Sequence, residues 1–521
     1  MAISQSDVLI IGGGHNGLVT ALMLARSNLQ VTVLERRDVV GGSAVTEHPF
    51  KKAPHLGQST ASYLFGLMPP ELMHELELDV KLLRRDPHYF LPTTGKNSLL
   101  FGSDEAELER QFRAFFSEAD WLANQKLNAE LAALRNDLGP SWMEAPLPLE
   151  ETAEKFIRKE LRRTFIDMCR GSARNYLDRF GFKSDLVKAM YAVTDGFSGV
   201  DGGYDTPGVG MNLLIHSMCR LPGSGGTWMI VEGGMGAITQ SLAEKAKRLG
   251  ATIRTNAQVK QILVTNGVTK GVVLESGEEL GAKVVISNAD PFATMKLLAD
   301  AKLPQDYVSK VDGMRADGST MKVNLCLKGL PKFTCLPDSQ KVHGATIHLL
   351  PEEHVVLKEL ERSYQDAKGG RLPEFPSIEW YIHTAVDPTL RDSEGHHSSA
   401  LFVEWVPYAL SGGKTWDQEE DGYVKHLLSI CDRFAPGFSD LVEETFVLTP
   451  PKIEARFGIT RGHIHHVDNK LGFDQRLPYA TPISGLYFCG AGCHPAGAVI
   501  GAAGYNSART VLAALGLGGK A

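Results

Sequence analysis

The sequence predicts an α/β fold in which a parallel, nucleotide-binding sheet carrying a β-ribbon is interleaved with a second, α+β domain. Three observations predict it. A complete βαβ unit occupies Asp7–Glu35, a helix, strand, ribbon and strand follow over residues 233–290, and a glycine-rich strand and turn return in GLYFCGAGCHPAGAVIGAAGYNSARTVLAALG. Segments 1–60, 226–300 and 456–521 are thereby assigned to the nucleotide-binding domain, and 61–225 and 301–455 to the other.

Val8–Ile11 is a short apolar, β-branched run of the kind buried inside a parallel sheet. It ends at Gly12, Gly14 and Gly17, which stand at G-x-G-x-x-G spacing. Gly12 allows a tight turn, Gly14 lets the backbone approach a pyrophosphate, and Gly17 lets helix and strand pack closely. Leu18, Ala21, Leu22 and Ala25 then recur at helical spacing, and Val31–Leu34 returns as a second strand. Free N–H groups at the helix start favour phosphate, and Glu35 is placed to accept hydrogen bonds from a ribose.

Composition narrows the class. The 521 residues suffice for two or three domains, 43% hydrophobic content is that of a globular protein, and a formal charge of −7 gives no reason to expect nucleic acid as a partner. No apolar run reaches the roughly 20 residues needed to span a bilayer. With the first strand beginning at Val8, no signal or transit peptide is expected. Seven scattered cysteines suit a reducing compartment, so the cytoplasm is the expected location, with the mitochondrial matrix as the eukaryotic alternative.

Beyond Glu35, the pair Gly41-Gly42 offers a second close backbone approach. Residues 61–225 are rich in helical periodicity. Within them, Lys155–Arg174 sets Ile157, Leu161, Phe165 and Met168 on one stripe beside five cations. Such a stripe suits peripheral contact with an anionic membrane, although a solvated face over a core stripe is the plainer reading. Gly233–Gly236 opens a helix but lacks a preceding parallel strand and a ribose acid, which argues against a second nucleotide site. Residues 301–455 are mostly strand-like runs joined by polar turns. In the last segment Leu486–Cys489 is strand-like, Gly490 and Gly492 form a turn, and a helix is expected from Val499–Ile500. The N-terminus of that helix suits the N1–C2=O edge of a flavin, where negative charge gathers on reduction.

These blocks resemble the FAD-dependent amine-oxidase and phytoene-desaturase superfamily over essentially the whole chain: IIGGGHNGLVTALMLARS, VLERRDVVGGSAVTE, GGMGAITQSLA, VVLESGEELGAKVVISNADP, WVPYALSGGKTWD, LTPPKIEARFGI and the final glycine-rich run. The resemblance implies non-covalent FAD in a Rossmann-like FAD-binding domain, with a substrate domain closing over it. By likeness to carotenoid desaturases it implies a small lipophilic substrate. Carried over by position, Gly12, Gly14 and Gly17 hold the pyrophosphate and Glu35 the ribose; Arg36, Gly41, Gly42 and Ser43 line the cofactor. Val259 reads adenine through its backbone, and Gly490, Gly492, Val499 and Ile500 contact phosphate and flavin. Where the family has HPGGG this chain has His494-Pro495-Ala496-Gly497-Ala498, whose two methyl groups are expected to narrow the space over the ring.

Val40–Phe50 contains no cysteine, so a disulphide relay is not supported. Cys489 and Cys493, at C-x-x-x-C spacing, read as small residues packed on the cofactor rather than a redox pair. His463, His465 and His466 lie near Asp468, but without a further ligand set this cluster is read as placing one histidine, His465, near the flavin rather than as a metal site. His494 is the other candidate for handling a proton, with a purely structural role as its alternative. The expected activity is hydride exchange between flavin and a carbon–carbon bond. A flavin amine oxidase is the alternative enzyme, disfavoured because AGAVIGA replaces a tryptophan-containing segment, and an FAD-binding regulatory or scaffolding protein is the third reading.

Overall fold

The computed structural model describes residues 4–298, 301–339 and 341–518. Its first sheet has seven strands. Ser4–Ile11 pairs in parallel with Val31–Leu34 on one side and Glu279–Ser287 on the other, and Thr252–Arg254 extends the parallel set beyond Val31–Leu34. Val8 and Ile10 enter one apolar cluster while Leu9 and Ile11 enter another, so the strand is buried on both faces.

The ribbon is formed by Val259–Thr265 and Val268–Leu274, which continues antiparallel onto the start of Glu279–Ser287. The end of that same strand pairs in parallel with Leu486–Phe488. The sheet is thus assembled from three distant parts of the chain. Helix His15–Arg26, buried from His15 to Ala25, packs against helix Ala502–Ala514 so closely that a Cβ on Gly504 would lie 2.2 Å from the Asn16 carbonyl oxygen. The second helix begins slightly later than the sequence suggests, because Gly501 turns the chain at φ +81°.

The second sheet runs in the order Val442–Leu448, Thr320–Leu327, His397–Glu404, Ser377–Ile382, Thr346–Leu349, Tyr89–Pro92 and Ser98–Phe101. It is antiparallel except where Thr346–Leu349 meets Tyr89–Pro92. The last two strands come from a region whose sequence reads as helical; at four residues each they are too short for a period to emerge.

The basic stripe over 155–174 is not one helix. Arg158 is extended at ψ 144° and Gly171 at ψ 177°, which cuts the stretch into Leu149–Phe156, a short 3-10 turn, Arg162–Arg170 and Ala173–Leu177. Its cations are largely paired within the protein: Arg158 with Asp137 at 2.7 Å, Arg163 with Asp167 at 2.8 Å, Lys155 with Glu144 and Arg170 with Glu150. No described helix is long and apolar enough to cross a membrane. All seven cysteines are free and buried.

Candidate functional site

One cavity of about 400 Å³ runs from the first glycine turn to the inner face of the second sheet. At its first end Gly12 turns the chain at φ +96°, and a Cβ on Gly17 would lie 2.4 Å from the Gly12 carbonyl oxygen. At Gly14 a Cβ would lie 2.8 Å from Asn288 Nδ2, so a larger residue would have to displace that side chain from the cavity wall. Gly14 caps helix His15–Arg26 without any side chain, which leaves the first-turn N–H groups to whatever fills the cavity. Glu35 is buried, with Oε2 accepting from Gly13 N–H at 2.8 Å and Oε1 from Arg37 N–H at 2.9 Å. Ala257 N–H donates to the Glu35 carbonyl at 2.8 Å, which brings Ala257, Gln258 and Val259 to the same end.

The middle of the cavity is bounded by Gly41, Gly42 and Ser43 on one side and Asn288, Ala289 and Asp290 on the other. Gly41 stands at φ +126° with its N–H on the Gly13 carbonyl at 2.8 Å, tying the two glycine turns together. Asp290 caps the following helix through Ala293 N–H and accepts from Thr460 N–H at 2.6 Å and Thr460 Oγ1 at 2.9 Å. Sequence reasoning missed these three residues. A signal was available, because SNAD follows the strand that pairs with the first one, and ligands of such sheets sit outside the carboxyl ends of the strands.

Of the expected cofactor residues, Gly12, Gly14, Glu35, Arg36, Gly41, Gly42, Ser43, Val259 and Val499 line the cavity. Arg36 turns its guanidinium onto the carbonyls of Ala455 and Arg456, at 3.1 and 2.6 Å. Gly17, Gly490, Gly492 and Ile500 are not on the wall and act behind it. A Cβ on Gly490 would lie 3.0 Å from the Asn288 carbonyl oxygen, and one on Gly492 3.2 Å from Leu477 Cδ1. Arg476, fully buried, holds this second turn from the rear through the carbonyls of Ala491 at 2.8 Å and Cys493 at 3.1 Å. Of the two alanines that replace family glycines, only Ala498 lines the cavity; Ala496 is in the core.

The histidines separate clearly. His465 and His466 line the cavity and His463 does not. His465 Nε2 donates to the Ser198 carbonyl at 2.8 Å, so the lone pair resides on Nδ1; burial depresses the ring to about 3 and keeps it neutral. His494 corrects an expectation. Its ring lies away from the cavity, with Nε2 3.1 Å from the Ser141 carbonyl and its edge against Phe473, and burial lowers it to about 4, well below the range for proton exchange near neutrality. Burial likewise pushes the Cys489 thiol up to about 12, which makes a thiolate relay there unfavourable. Among the described residues no group of three or more potential ligands is placed to hold a metal.

The far end is polar, which the sequence did not reveal. Lys322 donates to the carbonyls of Ser59 at 2.6 Å and Ala61 at 2.7 Å, with its ammonium position 4.3 Å from the Tyr63 ring centre. Burial alone carries this amine well below its usual value. Glu379 accepts from Tyr381 and, at 3.3 Å, from Tyr63, and His348 Nε2 stands 3.3 Å from its other oxygen.

The turns at Gly12–Gly14 and Gly41–Gly42 thus open on one continuous cavity, with the acid Glu35 on its wall and backbone too closely packed for a side chain at Gly41. Those features fit FAD. A profile of flavin containing amine oxidoreductases matches residues 17–359. A curated protein of Rattus norvegicus, pyridine nucleotide-disulfide oxidoreductase domain-containing protein 2, is 35% identical over 97% of this chain and 93% of its own length. Phytoene desaturase of Neurospora crassa is 26% identical over 94% of this chain and 81% of its own. Among solved structures, a putrescine oxidase shares the fold at TM-score 0.58 and 15% identity, over 98% of this chain and 99% of that one.

Proposed function

This chain belongs to the flavin-containing amine oxidoreductase family and is an FAD-dependent oxidoreductase, and from that premise we propose that it exchanges hydride with a carbon–carbon bond of a lipophilic substrate. Bound FAD supplies the two-electron acceptor or donor that no side chain provides. The protein's part is to grip, orient and keep water out. Gly12, Gly14 and the open start of helix His15–Arg26 hold the pyrophosphate, Glu35 the ribose, and the segment Ala498–Val499 borders the space for the ring.

The observation that carries the proposal is the wall at Ala498 and Val499. A methyl and an isopropyl group stand there, where amine oxidases carry an indole, and they favour hydrocarbon over an aromatic clamp on an amine. His465, which borders the cavity with its Nδ1 unpartnered among the described residues, is assigned as a neutral hydrogen-bond acceptor toward the substrate space rather than as a proton carrier.

Anaerobic mixing of the yellow holoenzyme with a panel of polyenes tests this. Flavin bleaching together with a product lighter by two hydrogens is the expected result for desaturation. Bleaching by amines, with peroxide on readmission of air, would replace the reading with amine oxidation.

A further inference from the structure

Hydride exchange with a carbon–carbon bond leaves a proton to be placed, and the cavity wall narrows the choice. Among the described residues three carboxylates line it: Glu35, Asp290 and Glu379. Glu35 accepts from the backbone N–H groups of Gly13 and Arg37, and Asp290 caps a helix through Ala293 N–H while accepting from Thr460. Such bonds hold a side chain in place. Glu379 differs, because its Oε2 accepts two hydroxyls, from Tyr381 and, at 3.3 Å, from Tyr63. A hydroxyl can take one proton while handing on another, which a peptide N–H cannot.

The fold brings these groups together from three directions. Residues of strand Ser377–Ile382 alternate, so Ile378, Trp380 and Ile382 enter an apolar cluster while Glu379 and Tyr381 face the cavity. Register sets His348 directly opposite Glu379, with Nε2 3.3 Å from Oε1. Tyr63 arrives from the cofactor side, because Ser62 donates to the Ser43 carbonyl through its N–H at 3.1 Å and its Oγ at 2.9 Å. Tyr63 is only partly buried and lines the cavity, so it links the cofactor loop to the carboxylate.

The other titratable groups around Glu379 are poorer stations for a proton. Arg85 is a fixed cation, and the Lys322 amine is spent on the carbonyls of Ser59 and Ala61. Burial lowers His216 to about 4 and raises the Tyr89 hydroxyl, so neither changes charge near neutrality. Burial pushes Asp195 up to about 7 and Glu404 well up, but neither lines the cavity.

We propose that Glu379 is the proton store of this enzyme, loaded through the Tyr63 hydroxyl as the flavin is reduced. In desaturation one C–H bond gives its hydrogen and electron pair to the flavin. The adjacent C–H bond leaves its electron pair in the new double bond and its proton on Tyr63 Oη, while the tyrosine's own proton moves to Glu379 Oε2, directly or by way of Tyr381, whose oxygen Tyr63 also reaches. Saturation runs the same steps backwards. This deepens the hydride-transfer reading and rests on it for the source of the proton. Uptake itself needs only reduction of the flavin by any donor, because the negative charge gathered there favours a protonated neighbour.

Full-length holoenzyme photoreduced without air in unbuffered neutral solution, with an indicator dye counting protons taken up per two electrons, supplies the test. Wild type is expected to take up about twice as many as Glu379→Gln, and Glu379→Asp to restore the count. The reduced-minus-oxidised infrared spectrum of the wild type should show a protonated carboxyl appearing, absent in Glu379→Gln and kept in Asp195→Asn. That wild-type band is readable even if Glu379→Gln sheds its flavin. Equal counts in wild type and flavin-replete Glu379→Gln, no carboxyl band in the wild type, or a band lost in Asp195→Asn overturns the proposal. A count that depends on Glu379 in an enzyme whose flavin no polyene bleaches would refute hydride transfer from carbon and leave the proton store standing.

Discussion

A side chain at residue 17 would begin 2.4 Å from the carbonyl oxygen of Gly12. That single approach sets the spacing between the first strand and the first helix, and with it the place where phosphates are received. Gly17→Ala should therefore lose flavin as well as stability, by about 1–3 kcal/mol for an overpacked contact that only backbone movement can relieve. Denaturant unfolding, together with the ratio of flavin to protein absorbance after purification, measures both. A variant with full flavin and unchanged midpoint would show that the approach is not needed.

Glu35 has two duties in the proposed function, since its carboxylate holds the Gly13 N–H as well as lining the cavity where the ribose is proposed to sit. Glu35→Gln keeps an acceptor for Gly13 and loses the charge, whereas Glu35→Ala loses both. The expected order of FAD dissociation constants is wild type below Gln below Ala, with Ala weaker by about tenfold to a hundredfold, as befits one or two charge-assisted hydrogen bonds. Fluorescence recovery on adding FAD to apoprotein reads the order; equal constants for the two variants would contradict it.

Acid should unfold the protein through its buried imidazoles. His15, His216 and His494 are each lowered by burial from 6.5 to about 4, so the folded state refuses a proton that the unfolded chain accepts. Their contribution is fully present above pH 6.5 and is lost as pH falls from there toward about 4. Melting temperature is expected to be level above neutrality and to decline below pH 6.5, with a shallower decline in His494→Gln. An equally steep decline in that variant would remove His494 from the account.

Arg476 is charged, fully buried and held by carbonyls, with a further bond from Nη1 to Asn469 Oδ1 at 3.3 Å. Burial lowers it only to about 10, so it remains cationic at neutral pH. Arg476→Met would strand the oxygens of Ala491 and Cys493 and loosen the second turn. A loss of about 1–3 kcal/mol is expected for each carbonyl left unsatisfied, and flavin release should precede global unfolding on heating. Calorimetry with flavin fluorescence followed in parallel separates the two events; coincident transitions would argue that the turn is fixed by other contacts.

Legibility in the sequence followed locality. The first turn was readable because strand, glycines, helix and acid lie within Asp7–Glu35, where spacing alone dictates which groups meet. The polar sheet face was not, because Tyr63 and Glu379 are 316 residues apart and their meeting depends on strand register. The basic stripe is a related case: periodicity placed its cations on one helical face, but the helix breaks at Arg158, and Lys155 and Arg158 answer to Glu144 and Asp137, outside the window in which the pattern was counted. His494 was favoured by its place beside the glycine turn, yet chain neighbours point in different directions, and the ring follows Ser141 rather than the cavity.

Strand Leu486–Phe488 completes a sheet whose other members are made hundreds of residues earlier. During synthesis on the ribosome the nucleotide-binding half must wait, with Glu279–Ser287 exposing an unpaired edge, until residues 486–514 emerge. A prematurely stopped polypeptide lacking them would keep the first glycine turn and Glu35 but lose Ala491, Ala498 and Val499 from the cavity wall, so its hold on the vitamin-derived prosthetic group is expected to weaken and flavin content to report that translation has run past this point.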